Sequence, residues 1–237
     1  MPAAEWRDDE IVLPSDESHH ALRVLRITPP DVITVTDGEG SVARCAAASL
    51  REDRLVVEVL EVERRRRPRP EVTVYQGAAK GHKNDEVVER LAELGVAEVG
   101  VYDSERSVVK WDADKRKKLG QRWRLVARSA AKQSRNPFVV RVGAPLTWTE
   151  LLRRVSAEPL AVTLWEEADL PLRTALLEGA DRVAIVIGPE GGLSKPEAEA
   201  LADAGAQLAS LGPLILRTEH APVVATSAVL FHYGLIG

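Results

Sequence analysis

A fully apolar run, Val183-Ala184-Ile185-Val186-Ile187, passes without interruption into Gly188-Pro189-Glu190-Gly191-Gly192. No other stretch constrains the fold as strongly. A short apolar run bounded by turn residues predicts a strand buried on both faces, as in a parallel sheet. After the glycines, Ser194 and Glu197 have the S-x-x-E spacing of a capping box. Pro196 stands in the first helical turn, where its missing N–H does no harm. The order is therefore strand, glycine-rich loop, helix. Sheets of α/β type bind ligands at the carboxyl ends of their strands. Three glycines let main-chain atoms approach a ligand closely, and Glu190 between them has no evident packing role. The plain alternative is a tight connection.

The same alternation runs through the last two thirds of the chain. Strands are predicted at 72–75, 99–102 and 160–164. A helix capped by Asn84 or Asp85 carries Val87, Val88, Leu91 and Leu94 on its apolar face and stops at Gly95, the position where a left-handed glycine ends a helix. A long helix spans about 112–134, and a last one starts near Glu219. Strand–helix alternation implies a largely parallel sheet.

The first sixty residues have a different texture. Val32, Ile33 and Val35 form a short run, 37–40 reads as a turn, and 42–48 is the return strand. Leu55, Val57 and Val59 belong to a further strand of β-branched type. Short strands joined by tight turns suggest a small barrel. Glu63-Arg64-Arg65-Arg66-Arg67-Pro68-Arg69-Pro70 then cannot enter a core. It divides the chain into 1–69 and 70–237, as a solvated linker or a phosphate-contacting arm.

Three further stretches offer chemistry. Leu211-Gly212-Pro213-Leu214-Ile215-Leu216-Arg217-Thr218-Glu219 is an unusually apolar loop. It suits the wall of an adenine-sized slot with Arg217 as an oriented charge, or a loop packed on its neighbour. From Arg106 to Arg135 there are eleven basic residues, Lys110 among them, against Asp112 and Asp114. Arg124, Arg128, Lys132 and Arg135 are spaced to share one helical face, while Leu119, Trp123, Val126 and Ala130 line another. That is a phosphate track or a solvated face. His20, Arg23 and Arg26 form a weaker basic group, which a surface helix also explains.

Composition excludes more than it suggests. The formal net charge is −4, so any nucleic-acid site rests on local clustering. One cysteine, Cys45, permits neither an internal disulfide nor a cysteine zinc cluster. That fits a reducing, cytoplasmic setting. The opening Met1-Pro2-Ala3-Ala4-Glu5-Trp6 lacks the pattern of a secretory signal, and no apolar run has the length of a membrane span. The Rossmann fingerprint, the P-loop, the G-x-S-x-G elbow and H-E-x-x-H are all absent. The five histidines show no metal spacing.

Gly-Pro-Glu-Gly-Gly at 188–192, Leu-Gly-Pro-Leu-Ile-Leu-Arg-Thr-Glu at 211–219, Leu-Ala-Glu-Leu-Gly-Val at 91–96, Gln-Ser-Arg at 133–135 and His-x-x-x-Val-Leu-Arg at 20–26 stand in the order of a known family. Over nearly its whole length the chain resembles the RsmE-type methyltransferases, SPOUT-class enzymes that methylate N3 of a uridine in 16S rRNA. It departs from their pattern at Lys132, where an acid is common, and at 28–31, where a glycine is expected.

The resemblance implies a PUA-like β-barrel followed by an α/β parallel sheet with a carboxyl-terminal trefoil knot. It implies S-adenosylmethionine as cofactor, a homodimer, and no metal and no membrane. The cofactor would lie against Leu164, Ile187, Gly188, Pro189, Glu190, Gly191, Gly192, Leu211, Gly212, Leu214, Ile215, Leu216, Arg217 and Thr218. Arg217 would stabilise charge on the uracil, and Glu190 or Glu219 would be the base or an orienting group. The 16S rRNA or assembled small subunit would meet His20, Arg23, Arg26, Arg106, Arg124, Arg128, Lys132 and Arg135. The rival readings are a non-catalytic ribosome assembly factor, a methyltransferase acting on another base or a ribose, and an unrelated nucleotide-binding protein.

Overall fold

The computed structural model describes residues 6, 9–107, 109 and 111–237. Met1 to Glu5 and Lys110 lie outside the described residues. The chain forms two compact units. The division falls between Arg67 and Pro68, and the tripeptide Asn136–Phe138 belongs with the first unit.

In the first unit, strands β1 (Glu10–Val12), β2 (Val32–Thr36), β3 (Ser41–Arg51) and β4 (Arg54–Arg64) make an antiparallel sheet in the order β1-β4-β3-β2. Register shifts near Cys45 and Ala47 mark bulges in the β3–β4 ladder, which bend and twist a sheet locally. Ile11, Val35, Ala43, Cys45, Leu55 and Val57 form the core of this unit. Burial pushes the Cys45 thiol up to about 11. Helix α1 (Ser15–His19) continues as a π-turn through His20–Val24. β1 carries no sequence signal strong enough to be predicted, while the helical turn at 20–24 falls where a surface helix is the alternative reading. The charged stretch is corrected too: β4 runs to Arg64, two residues into it. The unit reaches forward to its tripeptide, where Pro137 accepts from the Gly40 N–H at 3.1 Å and Arg67 lies 4.6 Å from the Phe138 ring centre.

The second unit contains β5 (Glu71–Gly77), α2 (Lys83–Glu93), β6 (Glu98–Tyr102), α3 (Ala113–Gln133), β7 (Arg141–Val142), α4 (Trp148–Val155), β8 (Ala161–Leu164), α5 (Leu172–Ala175), β9 (Arg182–Ile187), α6 (Lys195–Asp203), β10 (Gln207–Ala209) and α7 (Ala221–His232). Its six strands are all parallel, in the order β10-β8-β9-β5-β6-β7. β9 lies inside the sheet between β8 and β5, which is why Val183 to Ile187 are apolar and buried. One face packs Val72, Val74, Val162 and Ile185 against α2, α3 and α7. The other packs Tyr75, Ala161, Ala184 and Val186 beneath α4 and α6.

The capping box of α6 forms as its spacing predicts: Ser194 Oγ accepts from Glu197 N–H, and the Glu197 carboxylate accepts from Ser194 N–H at 2.8 Å. Gly95, at φ +79°, closes α2. Three expectations change. His82, not Asn84 or Asp85, precedes α2; Asn84 is buried and holds both the N–H and the C=O of Ala79. Arg135 lies past the end of α3 at φ +56°, so it leaves the face shared by Arg124, Arg128 and Lys132. The last helix begins at Ala221, two residues late. No helix is long and apolar enough to cross a membrane among the described residues.

Candidate cofactor site

The carboxyl ends of the parallel strands bring three loops together. One follows β5, one follows β9, and the third leads from β10 into α7. Gln76, the penultimate residue of β5, is buried where its neighbours are apolar. Its Nε2 donates to Gly188 C=O at 3.3 Å and to Thr218 Oγ1 at 2.8 Å. Thr218 Oγ1 in turn donates to Gly188 C=O at 3.0 Å. One side chain thus joins the glycine loop to the apolar loop. Gly77 follows because nothing larger fits: a Cβ there would lie 2.3 Å from the Pro189 nitrogen.

Glu190 does have partners. It accepts from Lys80 N–H at 3.2 Å and from Lys83 Nζ at 3.1 Å. Lys83 Nζ also lies 3.2 Å from Glu219. Two carboxylates from two loops therefore share one ammonium, that of the first residue of α2. The pairing with Glu190 and then with Glu219 holds Lys83 above its ordinary range. Glu219 is held below the usual carboxylate range, first by its own N–H and then by Lys83.

The apolar loop is open. Leu214 is 79% exposed and Ile215 is 89% exposed. The N–H groups of Leu214, Ile215 and Leu216 donate to no protein group among the described residues. Gly212, at φ +124°, has free space where a Cβ would be. Exposed apolar side chains beside unpaired main-chain donors suit a flat heteroaromatic ring with polar edges. An adenosine group fits this donor set. A cleft of about 570 Å³ opens between Ser210–Pro213 and Glu166, Asp169 and Arg173, within the usual range for small-molecule sites. The glycine loop does not line that cleft, so the loop contacts rather than the cleft define the site.

Of the expected cofactor residues, Leu164 and Ile187 end β8 and β9, which pair with each other. Gly188 and Thr218 meet directly, and Pro189, Gly191 and Gly192 lie in the same loop as Glu190. Leu211 is half-buried at the cleft. Arg217 is exposed, and its guanidinium makes no hydrogen bond or ion pair among the described residues. Arg106 is brought to this site as well, donating to Gly191 C=O at 3.3 Å. Among the RNA residues, Arg124 and Lys132 are exposed on α3, Arg128 is half-buried there, and Arg135 is exposed beyond it. His20, Arg23 and Arg26 are exposed in the first unit.

Sequence reasoning missed Gln76 and Lys83. A glutamine inside an apolar strand just before a glycine is a signal that could have found the first. Nothing in Lys80-Gly81-His82-Lys83 distinguishes the second from a surface lysine. No group of three or more His, Cys, Asp or Glu capable of holding a metal occurs among the described residues.

Known proteins agree with this architecture. A family model described as an RNA methyltransferase domain matches residues 65–230, and one described as an RNA methyltransferase PUA domain matches 13–60. Ribosomal RNA small subunit methyltransferase E of Mycobacterium bovis is 36% identical over 222 residues, spanning 92% of this chain and 85% of its own. The protein of the same name from Bacillus subtilis is 33% identical, spanning 93% and 90%. The Neisseria gonorrhoeae enzyme of that name, crystallised with S-adenosyl methionine, matches with a TM-score of 0.85 at 26% identity, covering 95% of this chain and 93% of that one. Fold and site thus define an RNA methyltransferase with an amino-terminal PUA domain. The chain belongs to the ribosomal RNA small subunit methyltransferase E family.

Proposed function

We propose that this protein transfers the methyl group of S-adenosylmethionine to N3 of a uridine in 16S rRNA, in the cytoplasm and as a homodimer. The observation that carries the reading is the joining of the glycine loop and the open apolar loop through Gln76 and Thr218. S-adenosylmethionine supplies an already activated methyl group. The protein's task is alignment, which is worth up to roughly 7–11 kcal/mol, and management of the imide proton of uracil. The main chain at 214–216 holds the adenine edge. Arg217, free of partners among the described residues, stabilises the negative charge that develops on the uracil carbonyls. Glu190 or Glu219 is the base, and the other orients groups. The knotted threading implied by the resemblance would give both loops their fixed relation.

Each unit contributes basic residues toward RNA: His20, Arg23 and Arg26 from the PUA-like unit, and Arg106, Arg124, Arg128, Lys132 and Arg135 from the methyltransferase unit. Val224 (46% exposed) and Phe231 (70% exposed) on α7 leave an apolar surface of the kind a subunit interface covers.

Two measurements test the proposal. Calorimetry should detect S-adenosylmethionine binding to the purified chain. Mass spectrometry of 16S rRNA nucleosides from a strain lacking the gene should show N3-methyluridine missing, and restored by the intact gene. Loss of a different methylated nucleoside would redirect the target assignment, and no cofactor binding would favour an assembly factor. Arg124→Ala should reduce the slope of log affinity against log salt by about 1 if α3 contacts phosphate.

A further inference from the structure

Lys83 stands out because its position answers to no packing need. Its side chain is 36% exposed, yet its Nζ lies 3.1 Å from Glu190 and 3.2 Å from Glu219. Those carboxylates are 23% and 14% exposed. They sit on separate loops, one after β9 and one entering α7. The turn bearing Lys83 is itself anchored. Asp85, in the first turn of α2, accepts from Trp123 Nε1 at 2.9 Å and pairs with Arg122, both on α3. Lys80 N–H in the same turn holds Glu190 a second time. One fixed turn therefore grips both loops.

We propose that Lys83 is a positioning residue that ties the glycine loop to the apolar loop through Glu190 and Glu219, and so prearranges the two cofactor loops before S-adenosylmethionine arrives. The proposal rests on the cofactor site proposed above. Partly exposed ion pairs contribute little to global stability. A clasp between loops acts instead on the cost of ordering them at binding, which preorganisation lowers. The two carboxylates also need this cation. Without it they would repel each other and push the two loops apart.

The test uses the full chain carrying Lys83→Ala or Lys83→Arg. Hydrogen exchange of the cofactor-free protein reads the clasp directly. K83A should speed exchange at 188–192 and 213–219, while the sheet amides and the melting temperature stay near those of the parent. Calorimetry with S-adenosylmethionine alone should show affinity reduced about tenfold, the scale of one charge-assisted contact. In turnover, KM for S-adenosylmethionine should rise more than kcat falls. K83R, which keeps the charge, should recover most of both. Combining K83A with Glu219→Gln should cost less than the sum of the two, since they break one clasp. Unchanged loop exchange and unchanged affinity in K83A would overturn the inference while leaving the function standing. General destabilisation of K83A, or K83R as loose as K83A, would overturn it too. If the parent itself bound no S-adenosylmethionine, the functional reading would fail first and this one with it.

Discussion

The two ends of the parallel sheet are both rich in charge, and they use it in opposite ways. At the amino-terminal end, the first residues of β5, β6, β7 and β9 are Glu71, Glu98, Arg141 and Arg182. Register sets Glu71 beside Arg182 and Glu98 beside Arg141. Around them Arg69 lies 3.4 Å from Glu71, Arg141 lies 3.4 Å from Glu98, Arg182 lies 3.5 Å from Glu158, and Arg154 pairs with Glu98. Glu71, Glu98 and Glu158 each have an arginine. At the carboxyl-terminal end, two acids share one lysine, and Arg217 has no partner among the described residues. A network saturated within the protein fixes strand register. One left open retains capacity for a ligand. The same residue types therefore serve structure at one end and chemistry at the other.

This contrast can be broken by mutation at either end. The largest effect belongs to Arg217→Ala, which should lower methyl transfer to small subunits by about 10²–10³-fold, as loss of a charge-stabilising donor does, with cofactor affinity unchanged by calorimetry. Normal turnover would remove Arg217 from the chemistry. Next comes Gly77→Ala. Its Cβ would press on the Pro189 backbone at 2.3 Å, so the glycine loop must move. Overpacking of this kind costs about 1–3 kcal/mol, and cofactor binding should weaken with it. Intact affinity in a normally folded G77A would show that the loop's position is not critical.

At the opposite end the expectations reverse. Glu98→Ala strips a partner from Arg141 and Arg154 and should destabilise by about 1 kcal/mol, the upper range for partly exposed pairs. A lower melting temperature with unaltered cofactor affinity is the signature. If binding fell as much as stability, the two ends would be coupled and the division of labour would be wrong.

The smallest effect concerns pH, and it has opposite signs at the two ends. Burial raises the Glu158 carboxyl above its ordinary range. Its contribution is fully present below the ordinary carboxylate range and is lost as pH rises through the raised value. Glu219 is lowered, so its contribution is present above the ordinary range and is lost as pH falls through the lowered value. Thermal melts across mildly acidic pH should therefore change slope in opposite directions for Glu158→Gln and Glu219→Gln. Parallel changes would sink the comparison.

Much of this protein was written locally. The buried strand at 183–187, the α6 capping box, the glycine that ends α2 and the basic run of α3 depend on neighbours in sequence, because propensity, capping and periodicity act over a few residues. The motifs that mark both loops were legible for the same reason. What the local pattern did not contain is proximity between distant segments. That Lys83 reaches Glu190 and Glu219 across more than a hundred residues, that Gln76 binds Thr218, and that Asn136–Phe138 belongs with the first unit all follow from strand order and packing. The tertiary structure decided them, because which strands lie side by side is set by burial of the whole sheet, and hydrogen bonds and ion pairs then form between whatever that burial brings within reach.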